Sequence, residues 1–333
     1  MNFAIPRRVF LLSALSAATL RSVGVQAQPK QNYPSKPVKM VVAFAAGGPI
    51  DLATRIVADW LSKKLGQPFV VENRTGANGA IAADFVKASE ADGYTMLVSN
   101  ASMITITPTL KKDLSYDVKR DFAPVSRIAS SSMILVVNPE DAATKDIHSV
   151  KDLVAATKAA PDKYSYGSAG INGNVQQVAF ELFASEAGIS LLPVPYKGSS
   201  EVQAALLSKT ITLAFDTLTA VPYIKSGKMR PLAVSSRERV AQLPDVPTMQ
   251  ELGYQDFDIG FWSGVFMPKK TPQSIVEKIS QGIVEACQDP AVRARLEPLG
   301  AVVPSSPSAF QSHIEKETAM VAEVLRRANI KAE

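Results

Sequence analysis

The chain has 333 residues, of which 46% are hydrophobic and 20% charged, with 22 prolines. That composition excludes wholesale disorder and fibrous repeats, and the length suits two packed lobes better than one small core. No stretch after residue 30 approaches the ~20 uninterrupted apolar residues of a membrane span. The formal charge of +5 is not clustered: Arg7, Arg8 and Arg21 lie in a leader without acids, which leaves 33 bases interspersed with 31 acids. With no basic block and no aromatic stripe, a nucleic-acid partner has little support.

Residues 1–27 read as an export signal. Arg7 and Arg8 form a charged start, Val9 to Leu20 an apolar stretch, and Val25-Gln26-Ala27 a small-residue cleavage site before Gln28. Arg7-Arg8-Val9-Phe10-Leu11 also resembles a twin-arginine signal, so both that route and the general secretory one stay open. The mature protein is expected in the periplasm. Cys287 is the single cysteine, so no intrachain disulfide is possible. Its spacing from Ile275, Ile279 and Ile283 puts it on the apolar stripe of a helix, as an inert thiol.

Strand and helix signals alternate from Val38. Val38 to Phe44 reads as a strand, followed by Ala45-Ala46-Gly47-Gly48-Pro49 and a helix from Asp51 with Leu52, Ile56, Trp60, Leu61 and Leu65 on one face. Gly66 ends that helix. Phe69 to Glu72 is a strand, Arg74 to Gly79 a turn, Ile81 to Ala91 a helix and Tyr94 to Ser99 a strand. A second series follows: strand Met133 to Val137, a helix capped by Ser149, strand Tyr164 to Tyr166, and a loop from Gly167 to Gly173. A helix runs from Asn174 to Ala187, and strands Leu191 to Tyr196 and Ile211 to Asp216 bracket another that begins near Ser200. Met229 to Val234 reads as a strand returning to the first series. Strand Phe261 to Met267 and helices Pro272 to Gln288 and Pro307 to Ala328 complete the chain. Such alternation predicts an α/β architecture of two lobes, each a mostly parallel sheet flanked by helices. Lobe 1 comprises 28–130 and 235–333, and lobe 2, inserted into it, 131–234. Crossovers near Ile128 to Ser132 and Pro231 to Ser235 form a two-segment hinge.

No catalytic constellation emerges. His148 precedes a helix and His313 stands beside Glu315 and Lys316; both read as solvated, and neither has a partner at metal spacing. Tyr166-Gly167-Ser168-Ala169-Gly170 has Tyr166 where a nucleophile elbow requires its first glycine. Ala45 to Asp51 lacks the Gly-Lys-Ser/Thr ending of a phosphate loop. An α/β hydrolase is therefore the weakest reading, and neither a cofactor nor a metal is expected. The two glycine-bearing strand-to-helix turns make better sense as a binding site. Phe44 to Gly48 and Ser168 to Gly173 each place free N–H groups and a positive helix end at the carboxyl edge of a sheet. An anion such as a carboxylate would suit them, although such glycines can equally serve only to make tight turns.

At this level the chain resembles a family. Gly47-Gly48-Pro49-Ile50-Asp51-Leu52-Ala53-Thr54-Arg55 is similar to the opening of the Bug-type periplasmic receptors of tripartite tricarboxylate transporters. Asn73-Arg74-Thr75-Gly76-Ala77-Asn78-Gly79 and Ala91-Asp92-Gly93-Tyr94-Thr95 resemble its next segments, in order. Val194-Pro195-Tyr196-Lys197-Gly198, Phe215-Asp216 and Pro244-Asp245-Val246-Pro247-Thr248 extend the match toward residue 270.

The resemblance implies a two-lobed, type II-like periplasmic binding fold that closes on a small mono- or dicarboxylate, aliphatic or aromatic. It implies that a monomer presents this ligand to a membrane permease and that backbone amides, in part through waters, hold the carboxylates. By position, Phe44, Ala45, Gly47, Gly48, Asn100 and Ala101 would serve from one lobe. Ser168, Gly170, Asn174, Val175, Lys197 and Asp216 would serve from the other. Gly173-Asn174-Val175-Gln176-Gln177 departs from the family's usual Thr/Ser and Gln-His, in a loop one residue longer, so the ligand's identity stays open. Asp51 reads as a loop-structuring cap rather than an anion contact. Trp262, beside Phe261 and Phe266, reads as core, and Lys197 as either ligand contact or solvated side chain. A periplasmic sensor feeding a signalling partner such as a kinase is the alternative to transport.

Overall fold

The computed structural model describes Met1 and residues 33–169, 174–196, 198–255 and 257–327. The leader beyond Met1, Gly170 and Lys197 therefore lie outside the described residues. The first series runs β1 (Val38–Val42), α1 (Pro49–Leu65), β2 (Phe69–Asn73), α2 (Ala80–Lys87) and β3 (Thr95–Ser99). A π-helical turn at Ser102–Ile106 leads into α3 (Thr107–Leu110), α4 (Val118–Asp121) and the long β4 (Phe122–Ser132). The second series is β5 (Ile134–Val137), α5 (Val150–Ala159), β6 (Ser165–Ala169), α6 (Val175–Ala187), β7 (Leu192–Tyr196), α7 (Ser199–Leu207), β8 (Leu213–Asp216), α8 (Val221–Lys225) and β9 (Arg230–Val234). β10 (Gly260–Pro268), α9 (Gln273–Gln288), α10 (Pro290–Leu296), β11 (Ala301–Val302) and α11 (Pro307–Arg327) follow.

Two sheets result, ordered β11-β4-β10-β3-β1-β2 and β7-β6-β8-β5-β9. They share one plan. In each, the central strand of a parallel trio at one end of the sheet (β1 or β6) is parallel to both neighbours, and the next strand inward (β10 or β5) arrives from the other sheet and runs antiparallel. The sheets are thus mixed rather than mostly parallel. Parallel pairing needs a crossover element, and strands that step directly between sheets lack one.

The two chain crossings lie side by side. The N–H of Met133 donates to Ser235 Oγ at 2.8 Å, the N–H of Ser235 donates to Met133 O at 2.9 Å, and the Ser132 and Ser236 hydroxyls are 2.9 Å apart. Ile128–Ser132, expected as a crossover, is instead the second half of β4. Its serines pair with β10 and its edge with β11, so ladder hydrogen bonds hold a segment whose composition reads as linker. β9 is likewise the edge of the second sheet, antiparallel to β5, before the chain returns through Ile259.

Period-two alternation sorts the first sheet's core. Val38, Met40 and Val42 pack with Val57 and Leu61 of α1 and Ile279 and Ile283 of α9, whereas Val41 and Leu97 face Ala83 and Val86 of α2. α1 turns Ala53, Val57, Ala58 and Leu61 inward, while Leu52, expected inside, is 41% exposed. Small Ala53 and Ala58 let the helix sit close to the sheet, which rotates Leu52 out. Cys287 is buried in this core, and desolvation pushes its thiol up to about 12.

The C-terminal helix α11 reaches the segment that follows β3. Glu317 is 8% exposed, and both its oxygens accept from Trp262 Nε1, at 3.0 and 3.1 Å. Its Oε2 also lies 2.8 Å from Thr105 Oγ1, which contacts Ala101 O at 2.9 Å. One hydroxyl proton cannot serve both acceptors, and a protonated Glu317 resolves the conflict by donating to Thr105. Burial pushes Glu317 up to about 7, against the hydrogen bonds from Thr105 and Trp262 and the charge of Arg127. Trp262 is core, edge-on to Phe310 at 5.3 Å. His313 is half-buried rather than solvated as expected, and desolvation and then Arg127 push it down to about 4.

A buried acid whose folded pKa is raised contributes stability below its unfolded pKa and loses it as pH rises through the folded one. Glu317→Gln mimics the protonated form, so its stability gain over wild type should open between about pH 4.5 and 7 and stay level above. The gain should grow by at most about 1.4 kcal/mol per pH unit. Urea melts at four pH values test this; a gain independent of pH would show that Glu317 is not buried in its neutral form.

Candidate functional site

In both sheets the central strand is flanked by neighbours whose connecting helices leave in opposite directions. That is the switch-point geometry that opens a crevice beyond the carboxyl ends of the strands. On the first sheet these ends carry Phe44 to Gly48 after β1, Asn73 at the end of β2 and Asn100-Ala101 after β3, tied at the edge by Ala43 N–H donating to Val98 O at 3.1 Å. On the second, register sets Ser168 beside Pro195 and Gly167 beside Ala214, so the ends of β6, β7 and β8 lie together. The described ones among the expected residues thus fall into two groups, each at the carboxyl ends of one sheet's strands.

Asp51 organises the first group. It is 2% exposed in the first turn of α1 and reaches back against the chain direction. Its Oδ2 accepts from the N–H of Gly47 at 2.9 Å and from Arg55 Nε at 3.0 Å, and its Oδ1 accepts from Asn73 Nδ2 at 2.9 Å. Asn73 Nδ2 also donates to Phe44 O at 3.0 Å, and Arg55 donates to Asn73 Oδ1 at 3.0 Å. Burial alone would raise the Asp51 pKa; the hydrogen bonds from Arg55, Gly47 and Asn73 outweigh it and hold the carboxyl below its ordinary value. Gly47 has φ +80, which only glycine adopts freely, and its amide is committed to Asp51 rather than open to a ligand. Among the described residues, the N–H groups of Ala45, Ala46 and Gly48 have no protein acceptor, and α1 has no side-chain cap. Asn73 and Arg55 were not singled out from sequence, although Arg55 stands one helical turn from Asp51.

Asn100 and Ala101 are buried, at 5% and 1% exposure. Asn100 O accepts from Ile104 N–H at 3.1 Å and its Oδ1 lies 3.4 Å from Met103 N, so the π-helical turn begins directly from this strand end.

On the second edge, Gly167 is a strand residue, not part of a loop. A Cβ there would lie 2.6 Å from Ile211 Cδ1 and 2.8 Å from Val202 Cγ1, so glycine lets α7 pack on β6. Ser168 is 4% exposed at the strand's end. Asn174 caps α6, its Oδ1 accepting from Gln177 N–H at 3.0 Å, and the Val175 side chain is fully buried, leaving only its main chain for a ligand. Gln176 fastens this helix start to the next strand by donating to Phe215 O at 3.0 Å. Asp216 ends β8 fully buried, with Oδ1 accepting from Thr217 N–H at 2.7 Å. Burial pushes its pKa up to about 6, against smaller opposing effects of the Thr217 N–H and Gln203. Among the described residues no group of three His, Cys, Asp or Glu could hold a metal ion, and no helix is long and apolar enough to cross a membrane.

The profile described as "Tripartite tricarboxylate transporter family receptor" (TctC) matches residues 53–328. Protein BugT of Bordetella pertussis is 35% identical over 302 residues, covering 90% of this chain and 91% of BugT. An R. palustris protein solved with adipate is 31% identical, with a TM-score of 0.79 over 90% of this chain and 99% of that one. MatC from Rhodopseudomonas palustris, solved with bound malate, is 29% identical, with a TM-score of 0.74 over 88% and 100%. The chain belongs to the tripartite tricarboxylate transporter receptor family, the Bug or TctC proteins, which are periplasmic solute-binding proteins and not enzymes.

Proposed function

We propose that this chain captures a small mono- or dicarboxylate between its two sheets and delivers it to the membrane subunits of a tripartite tricarboxylate-type transporter. The observation that carries this reading is the β1–α1 loop. It offers the N–H groups of Ala45, Ala46 and Gly48 at an uncapped, positive helix end, held in place from behind by an ionised Asp51. Adipate and malate, found in two relatives, are both carboxylates, which supports the same ligand class here.

In this reading Phe44, Ala45, Gly48, Asn100 and Ala101 meet the ligand from one edge. Ser168, Gly170, Asn174, Val175, Lys197 and Asp216 meet it from the other, and Gly47 serves Asp51. The lobes are 28–130 with 235–333, and 131–234, and the paired crossings at Ser132–Met133 and Ser235–Ser236 are the hinge. Residues 1–27 direct export and are removed, which puts the receptor in the periplasm.

Three experiments test the reading. The ligand is first taken as whichever of a panel of aliphatic and aromatic carboxylates most raises the melting temperature. Asp51→Ala should then weaken its binding by about tenfold or more, since removing one partner of a charge-assisted hydrogen bond costs roughly 1.5–3 kcal/mol. Asp51→Asn, which keeps an acceptor for Gly47, should lose less. Calorimetry giving equal affinities for all three proteins places the site elsewhere.

Closure about the paired crossings should lower the radius of gyration on saturation, measured by small-angle scattering. An unchanged radius argues for a rigid receptor. Finally, protein recovered from the periplasm should begin at or near Gln28 by intact mass, and retention of Met1 defeats the leader assignment.

A further inference from the structure

We propose that Asp216 binds the ligand in its protonated form, donating its proton to a ligand carboxylate, so that capture takes a proton from solution. This rests on the carboxylate reading of the site and gives that site a charge state.

The placement comes first. Asp216 is the last residue of β8, and the register that pairs Gly167 with Ala214 brings it level with the end of β6, at the carboxyl edge. Alternation puts it on the same face as Ala214, which packs with Val202 and Leu206 of α7, while Leu213 and Phe215 face α6.

The hydrogen-bond inventory comes next. The side chain is fully buried, and Oδ1 accepts one N–H, from Thr217 at 2.7 Å. Oδ2 is buried without a hydrogen-bond partner. Gln203 of α7 lies close enough to favour the charged form slightly, but its amide donates to Thr219 Oγ1 at 2.7 Å. The neighbours are Ile134 of β5, Gln203 of α7 and the Thr217–Thr219 turn, and no charged group among the described residues acts on Asp216. An ionised carboxylate with one donor and no cation among the described residues is poorly accommodated in such a place, and its pKa of about 6 reflects that burial.

A ligand carboxylate arriving at this edge adds a second negative charge, and two carboxylates sharing a site retain a proton between them. Oδ2 is the atom with free capacity. When it carries the proton, it donates a short O–H···O⁻ bond to the ligand, the strong class of hydrogen bond. The opposite arrangement, an ionised Asp216 accepting from a ligand hydroxyl or ammonium, would release a proton instead.

Calorimetry with adipate and malate, in buffers of differing ionisation enthalpy from about pH 6.5 to 8.5, measures the protons exchanged. Wild type should take up a proton and lose affinity as pH rises, by at most about tenfold per unit. Asp216→Asn, a neutral donor of the same shape, should bind at pH 8.5 more tightly than wild type and with no dependence on pH. Its free form should also melt higher than wild type at pH 8.5, because the acid it replaces loses stability as pH rises through about 6. Proton release, pH-independent binding by wild type, or loss of binding in a folded Asp216→Asn each overturns the proposal. If no carboxylate, including these two, stabilises or binds the wild type at any pH, the carboxylate reading fails and takes this inference with it.

Discussion

The carboxylate of Asp51 is the constraint on which the first sheet edge depends. A loop between a parallel strand and the next helix has no ladder to hold it, and the N–H groups of Ala45, Ala46 and Gly48 have no protein acceptor among the described residues. Asp51 fastens three elements at once: the loop through Gly47, its own helix through Arg55, and the neighbouring strand end through Asn73. Asn73 closes the circuit by bonding the carbonyl of Phe44, at the start of the same loop. The loop is therefore rigid before any ligand arrives. Rigidity matters because binding through backbone amides gives each contact only a modest return, and ordering a loose loop would consume it.

The paired crossings impose the second constraint. Both sheets follow the same plan, and each takes an antiparallel strand from the chain's passage between them. The paired crossings leave and re-enter the first sheet through β4 and β10, and β10 lies next to β3. Glu317 ties that region to the site: Trp262 of β10 and Thr105 of the π-helical turn meet on one buried carboxyl, a few residues beyond Asn100 and Ala101.

Much of this was legible in the sequence, for identifiable reasons. β1, α1 and Gly66, or Ser149 and α5, are set by local signals: an apolar run, a cap, a glycine in the left-handed conformation. Asp51 was readable as a loop-holding residue because its bond to Gly47 spans only four residues, although it does not cap α1. Its partner Asn73 was not, since a contact across 22 residues leaves no spacing signature. β4 escaped because serines at its end are held by partners far away in the chain. Gly167 read as a turn, although its role is to admit α7, a fact about packing alone. His313 read as solvated from Glu315 and Lys316, which lie on the helix's outer face, while the inner face presents Glu317, against Trp262 of β10.

The two buried aspartates show how one residue type can hold opposite charge states. Asp51 and Asp216 are both almost inaccessible, and burial acts on both in the same direction. Asp51 accepts from a guanidinium, an amide side chain and a main-chain N–H, and stays ionised despite burial. Asp216 accepts from a single N–H, and burial prevails. Asp216 lies deeper and has fewer donors, and both differences raise it relative to Asp51. An anion approaching the first edge meets N–H groups with the negative charge of Asp51 already neutralised behind them. At the second edge it would meet a carboxyl poised to be neutral, so neither acid forbids a carboxylate from entering between them.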